Sequence, residues 1–254
     1  MTITFLGTGT SQGVPVIACG CEVCTSHDHK DKRLRSSIMV EGEGKVIVID
    51  SGPDFRQQML REKVQHLDAI VFTHEHKDHI AGMDDIRAFN YKQNAAIPVY
   101  ADTRVQKALQ REYPYIFDEL IRYPGIPEIT VHTIDNEPFS ISNIQFTPIE
   151  VMHYLLPVKG FRIKDFTYIT DAKTIADVEK EKIKGSKTLV INALQKQTHI
   201  SHFTLDEAIA FAQEIGAEKT YFTHISHRLG KHADISKDLP LNIELAYDGL
   251  RLKI

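Results

Sequence analysis

Cysteine is scarce in this chain, and the three present all fall between Cys19 and Cys24. An odd, clustered set excludes the disulfide framework that staples small secreted domains. Positive charge is not in surplus either: 30 Lys and Arg stand against 34 Asp and Glu, for a formal charge of −4. A chain that gripped nucleic acid mainly through charge would be basic, so nucleic acid is a disfavoured partner. No apolar run reaches the roughly 18 residues of a membrane helix, and no membrane partner is expected. The opening MTITFLGTGTSQG has neither a basic start nor an apolar stretch, so a cytoplasmic location is the expectation. Low-complexity tracts and linkers are missing too. Residues 1-254 therefore read as a single domain, with the Pro/Gly-bearing stretch Tyr123–Pro127 as the best internal seam.

What remains is a core-forming composition, 42% hydrophobic, and 13 histidines. Strand-like runs lie at residues 2–6, 36–41 and 45–50, the last two joined as a hairpin across Gly42 and Gly44. A helix over Asp54–Lys63, the apolar strand Asp68–Thr73, helices over Asp84–Tyr91 and Thr103–Tyr113, and the strand Ile97–Ala101 follow. The second half has strands at 129–133, 144–151, 161–170, Thr188–Ala193 and Thr220–Thr223, with helices over Thr174–Lys182 and Thr204–Ile215. A final hairpin, Ile243–Ala246 with Leu250–Ile254, is expected about Asp248-Gly249. Runs of strands with helices between them predict an α/β fold, a four-layer αββα sandwich with two mixed β-sheets. No residue-level repeat is present, so any duplication is expected in structure only.

The most informative segment is DAIVFTHEHKDH, Asp68–His79. An apolar strand stops at His74, and imidazole and carboxylate are ordinary ligands of zinc, manganese and iron. On an extended segment His74 and His76 point the same way. A turn into helix would project Asp78 and His79 from its first turn, so one segment can serve two adjacent metals. The bland alternative is a solvated polar turn, but three His and an Asp within six residues far exceed background frequency. More ligands are needed, and His153, Asp171 and His224 each sit just past an apolar run. Taken singly, each reads as a cap or a satisfied polar residue. The repeated placement, strand end then ligand, favours a shared site.

THEHKDH resembles the H-x-H-x-D-H signature of the metallo-β-lactamase superfamily, an αββα sandwich with a binuclear metal site. The resemblance spans essentially the whole chain, from FLGTGT through Asp50 and the signature to His153, Asp171 and His224. Cys19-x-Cys21-x-x-Cys24, Ser201-His202 and His224-Ile-Ser-His227 are similar to the phosphodiesterases of the carbon–phosphorus lyase pathway, which open phosphoribosyl 1,2-cyclic phosphate. The resemblance implies that His74, His76 and His153 hold one metal, Asp78, His79 and His224 the other, with Asp171 bridging. Asp50 would orient these ligands from behind. Two divalent ions, manganese or zinc, a small cyclic phosphodiester substrate and a homodimer are implied as well.

The three cysteines are one ligand short of a tetrahedral structural zinc. The residues themselves offer His27, close in sequence, or His227, remote but following the strand of His224. The resemblance favours His227. Buried, reduced thiols are the alternative.

In the implied mechanism a bridging water loses a proton between the cations and the hydroxide attacks phosphorus. Asp78 counts as both ligand and catalytic residue. His202, just before a helix, is the candidate general acid, chosen over His199 by resemblance. Rival readings are a tRNA 3′-end processing nuclease, a pyrroloquinoline-quinone biosynthesis protein of this fold, and a non-catalytic metal-binding scaffold.

Overall fold

Short apolar strands, many of them buried on both faces, build most of this molecule, here a computed structural model describing residues 1–118, 120 and 124–254. The first sheet takes β1 (Thr2–Gly7), β2 (Ser37–Gly42), β3 (Lys45–Ile49), β4 (Ala69–Val71), β5 (Ile97–Ala101) and β6 (Ile129–Thr133). The second takes β7 (Phe139–Ile141), β8 (Ile144–His153), β9 (Leu156–Ile163), β10 (Phe166–Tyr168), β11 (Thr188–Asn192), β12 (Lys219–Thr223) and β13 (Ile243–Leu245). The chain then returns, and β14 (Arg251–Lys253) pairs with β1 at the first sheet's edge. Among the described residues the orders are β14-β1-β2-β3-β4-β5-β6 and β13-β12-β11-β10-β9-β8-β7.

The two sheets have the same internal grammar. From β14 to β6 there are three antiparallel pairings and then three parallel ones. From β7 to β13 the sequence of pairings is the same. Duplication is thus visible in topology. By this correspondence β3 matches β10, so Asp50 and Asp171 follow equivalent strands.

Between the sheets lie Ile3, Phe5, Val40 and Ile49 from one side and Phe146, Phe161, Phe166 and Tyr168 from the other, all fully buried. Each such side chain contributes roughly 1.5–3 kcal/mol by leaving water. Helices α1 (Phe55–Arg61), α2 (Lys77–Ile80), α3 (Arg87–Gln93), α4 (Thr103–Glu112) and α5 (Pro114–Phe117) lie on the first half of the chain. Phe55, Phe89, Val105 and Leu109 from these segments pack on the outer face of the first sheet. Helices α6 (Asp177–Ile183), α7 (Leu205–Ile215) and α8 (His232–Asp238) cover the second with Ile183, Ala208, Phe211 and Ile235. Four layers result, αββα. No helix among the described residues is long and apolar enough to cross a membrane.

Two strand expectations are corrected. The segment 161–170 is not one strand: β9 and β10 pair antiparallel across Lys164, which takes a left-handed conformation with φ 54°. A Lys there gives no glycine signal for the turn. Likewise β13 and β14 do not form a hairpin, since β13 pairs with β12 and β14 with β1, in different sheets. The turn at Gly249 (φ 88°) exists, but Asp248 is tied to Thr8 and to the Leu34 amide, which carries the chain across the sandwich. The seam Tyr123–Pro127 begins at a residue outside the described ones.

Candidate metal centre

Each expected ligand stands where an apolar strand runs out. β4 and Phe72 are fully buried, and the chain continues, still buried, as Thr73-His74. It stays extended through His76 (φ −65°, ψ 149°) and turns into α2, whose first turn carries Asp78 and His79. The helix can lie this close because residues 52 and 82 are glycines. A Cβ at Gly52 would stand 2.0 Å from the Asp78 carbonyl oxygen, and one at Gly82 would stand 2.2 Å from that of Gly52. His153 closes β8, and Asp171 (φ 26°) and His224 (φ 54°) follow β10 and β12.

These side chains converge. His74 Nε2 lies 3.1 Å from His76 Nδ1, and the His76 and His153 rings are 5.2 Å apart. His79 Nε2 is 3.2 Å from both Asp78 Oδ2 and Asp171 Oδ2, and His224 Nε2 is 3.2 Å from Asp171 Oδ1. His202 Nε2 joins them at 3.0 Å from Asp171 Oδ1. Donor atoms of His74, His79 and Asp171 lie within 4.8 Å of one another, as do those of Asp78, His79 and His224, and those of His153, Asp171 and His202.

Behind the ring of donors a second set of contacts fixes each imidazole. Asp50 Oδ2 accepts from His79 Nδ1 at 2.7 Å, and Asp50 also accepts from the amide and hydroxyl of Thr73. Thr73 Oγ1 sits 2.9 Å from His74 Nδ1, the Ser201 carbonyl 2.8 Å from His153 Nδ1, and Thr170 Oγ1 3.4 Å from His224 Nδ1. Four imidazoles are thereby held with Nε2 turned inward, the tautomer a metal ligand needs. Thr73, Thr170 and the Ser201 carbonyl were not among the expected site groups. A signal existed for the two threonines: they immediately precede His74 and Asp171.

Electrostatics fit cations. Burial lowers the His74 imidazole well below its ordinary range, lowers His153, and brings His224 to about 3. These rings are therefore neutral donors. At His79 burial acts the same way but is outweighed by Asp78, Asp50 and Asp171, which hold it well above its usual value. Burial would raise Asp171, yet His224 and His79 keep it well below the carboxylate range. His79 Nε2 is buried and makes no hydrogen bond despite its two carboxylate neighbours. An orphaned donor atom facing two carboxylates suits a divalent ion of the zinc or manganese type.

A second cluster lies nearby. His227 Nδ1 stands 3.3, 3.4 and 3.5 Å from the Sγ atoms of Cys19, Cys21 and Cys24. Zinc bond lengths of about 2.3 and 2.0 Å at a tetrahedral angle place S and N ligands ~3.5 Å apart, so this set fits zinc. His27 is not in the cluster. The Cys24 amide and His227 lower the Cys21 thiol to about 6, whereas burial raises Cys24 to about 11.

This four-layer fold with a histidine-rich cleft at its strand ends defines a metallo-hydrolase architecture. A family model described as a β-lactamase superfamily domain matches residues 45–225. The chain belongs to the metallo-β-lactamase superfamily, and within it lies close to the PhnP family. A solved structure of a new diphosphatase from the PhnP family is 39% identical with TM-score 0.93, covering 100% of this chain and 97% of that one. Zn²⁺-bound PqqB from Methylobacterium extorquens shares the fold at 19% identity and TM-score 0.78, each chain covered in full. A curated relative named octanoyltransferase, from Porphyromonas gingivalis, is 38% identical over 253 residues, 98% of this chain and 51% of that protein. The chain therefore spans about half the length of that relative.

Proposed function

We propose that the chain is a binuclear metal-dependent phosphodiesterase acting on a small phosphodiester, phosphoribosyl 1,2-cyclic phosphate being one member of that class. His74, His76 and His153 would hold one ion and Asp78, His79 and His224 the other, with Asp171 between them. Cys19, Cys21, Cys24 and His227 would hold a structural zinc that takes no part in turnover. Bound divalent ions supply Lewis acidity at the phosphoryl oxygens and an acidified water.

The chain's own groups do the rest. Asp50 and the threonines fix the imidazoles, so little reorganisation accompanies the reaction. His202, with Nε2 directed at Asp171, donates a proton to the departing alkoxide as the phosphorus–oxygen bond breaks. Water contributes its oxygen to phosphorus, leaving a phosphomonoester and an alcohol. A polar pocket of about 300 Å³ beside His202, with Gln12, Gln195 and Arg228 on its walls, receives the alcohol half.

The observation that carries this reading is His79 Nε2, buried without a hydrogen bond between two carboxylates. Metal analysis of the purified protein with a panel of phosphodiesters is the test. About three metal equivalents per chain are expected, with hydrolysis abolished on chelation. Activity that survives complete chelation would falsify the mechanism.

A further inference from the structure

The two sides of the metal cleft differ in chemistry. Beside His202 the pocket is polar, as described. A second pocket, of about 440 Å³ and bounded by His76 and His153, is walled by Arg104, Tyr154, Leu155 and Ile200. Tyr154, Leu155 and Ile200 are 54, 74 and 65% exposed, three large apolar side chains left in water around one opening. Apolar groups gathered at the mouth of a site mark a binding surface, whereas scattered ones need no explanation.

The wall is also built in place. β8 and β9 pair His153 with Leu156, so Tyr154 and Leu155 form the tip of a tight hairpin directly beyond a metal-ligand position. Tyr154 takes a left-handed conformation (φ 58°), a backbone state that bulky residues seldom adopt and that marks functional turns. Arg104, in the first turn of α4, donates from Nη2 to Glu75 Oε1 at 3.0 Å. Glu75 lies between His74 and His76, so the guanidinium is tethered to the metal segment itself.

A planar guanidinium beside an aromatic ring and two aliphatic side chains suits a flat ring joined to a phosphate. The apolar groups take the ring face, and the guanidinium stacks on it or meets its phosphate. We propose that this pocket takes a nucleobase, so that the preferred diester or diphosphate carries a nucleoside on the phosphoryl group retained after cleavage. This rests on the diesterase reading above and narrows it. A ribosyl cyclic phosphate carries no flat aromatic ring to place there.

The test uses two substrates with one leaving group, the p-nitrophenyl ester of thymidine 5′-monophosphate and p-nitrophenyl methyl phosphate, on the metal-loaded protein. The nucleoside ester should be favoured in kcat/KM by about tenfold, mostly through KM, the scale of one stacked base. The double variant Leu155→Ser/Ile200→Ser should bring that ratio close to one. Equilibrium dialysis gives a readout independent of turnover: thymidine 5′-monophosphate should bind about tenfold more tightly than methyl phosphate, and the double variant should erase the difference. Ratios near one in the native protein, or ratios that persist in the double variant, overturn the nucleobase pocket. If the binding ratio holds while neither ester is cleaved, the pocket stands and the diesterase reading falls. If both esters are cleaved at equal rates, the reverse is true.

Discussion

Asp50 and Asp171 occupy equivalent places in the two halves of the sandwich, and a single imidazole spans them. Each follows the first strand of its sheet's parallel set, each takes a positive φ, and each is almost wholly buried. His79 donates Nδ1–H to Asp50 at 2.7 Å and turns Nε2 to Asp171 at 3.2 Å. One aspartate thus sets the ring, and the other faces its free nitrogen.

Asp50→Asn is accordingly expected to weaken metal binding at His79 by about 10–100-fold, the usual effect of removing a carboxylate behind a ligating histidine. Asparagine matches the size of aspartate and tolerates positive φ, so the fold should persist. Chelator competition monitors the affinity, and circular dichroism the fold. Native affinity in the variant would remove Asp50 from the site.

His202→Asn separates two roles for that histidine. As general acid, its loss should lower kcat by about 10²–10⁴ for esters of aliphatic alcohols and far less for p-nitrophenolate, which leaves without a proton. Metal content should not change. A drop in bound metal would instead make His202 a ligand, in keeping with its closeness to Asp171 and His153.

His227→Ala should reduce bound metal from about three equivalents to about two and lower the melting temperature, while His27→Ala should do neither. Elemental analysis and a thermal melt decide it. The asymmetry follows from the three thiols placed around His227 Nδ1.

His232 gives a pH signature away from the metals. Its Nδ1 is 3.1 Å from Arg33 Nη2, and burial together with the Arg33 charge lowers it from 6.5 to about 4. The unfolded chain takes up this proton near 6.5, the folded chain only near 4. Lowering pH across that interval therefore favours unfolding; the contribution is intact above 6.5 and gone below about 4. Urea unfolding of the native protein and a His232→Asn variant should show a shallower loss of stability in the variant over this window.

Short-range chemistry was legible in the sequence, and long-range pairing was not. His74 to His79 could be read because strand, turn and helix start follow one another within twelve residues from Asp68, and periodicity fixes where each ring points. The later ligands could be read because each ends an apolar run. The destination of β14 could not, since Asp248-Gly249 is a hairpin signal by local rules while Leu252 is needed in the core between the sheets. Helix α8 escaped notice because HADISKD buries only His232 and Ile235 and shows no apolar stripe. Among the groups behind the imidazoles the Ser201 carbonyl is silent in sequence, and Thr73 and Thr170 show only as neighbours of His74 and Asp171, because what they touch is decided by the fold.

The matched pairing order of the two sheets has a kinetic corollary. His74, His76, Asp78 and His79 belong to one half of the chain, and His153, Asp171 and His224 to the other. On the proposed assignment neither half alone supplies the full ligand set, so that set is completed only when distant segments dock. Metal capture through that full set would then be a late folding event, limited by slow non-local closure.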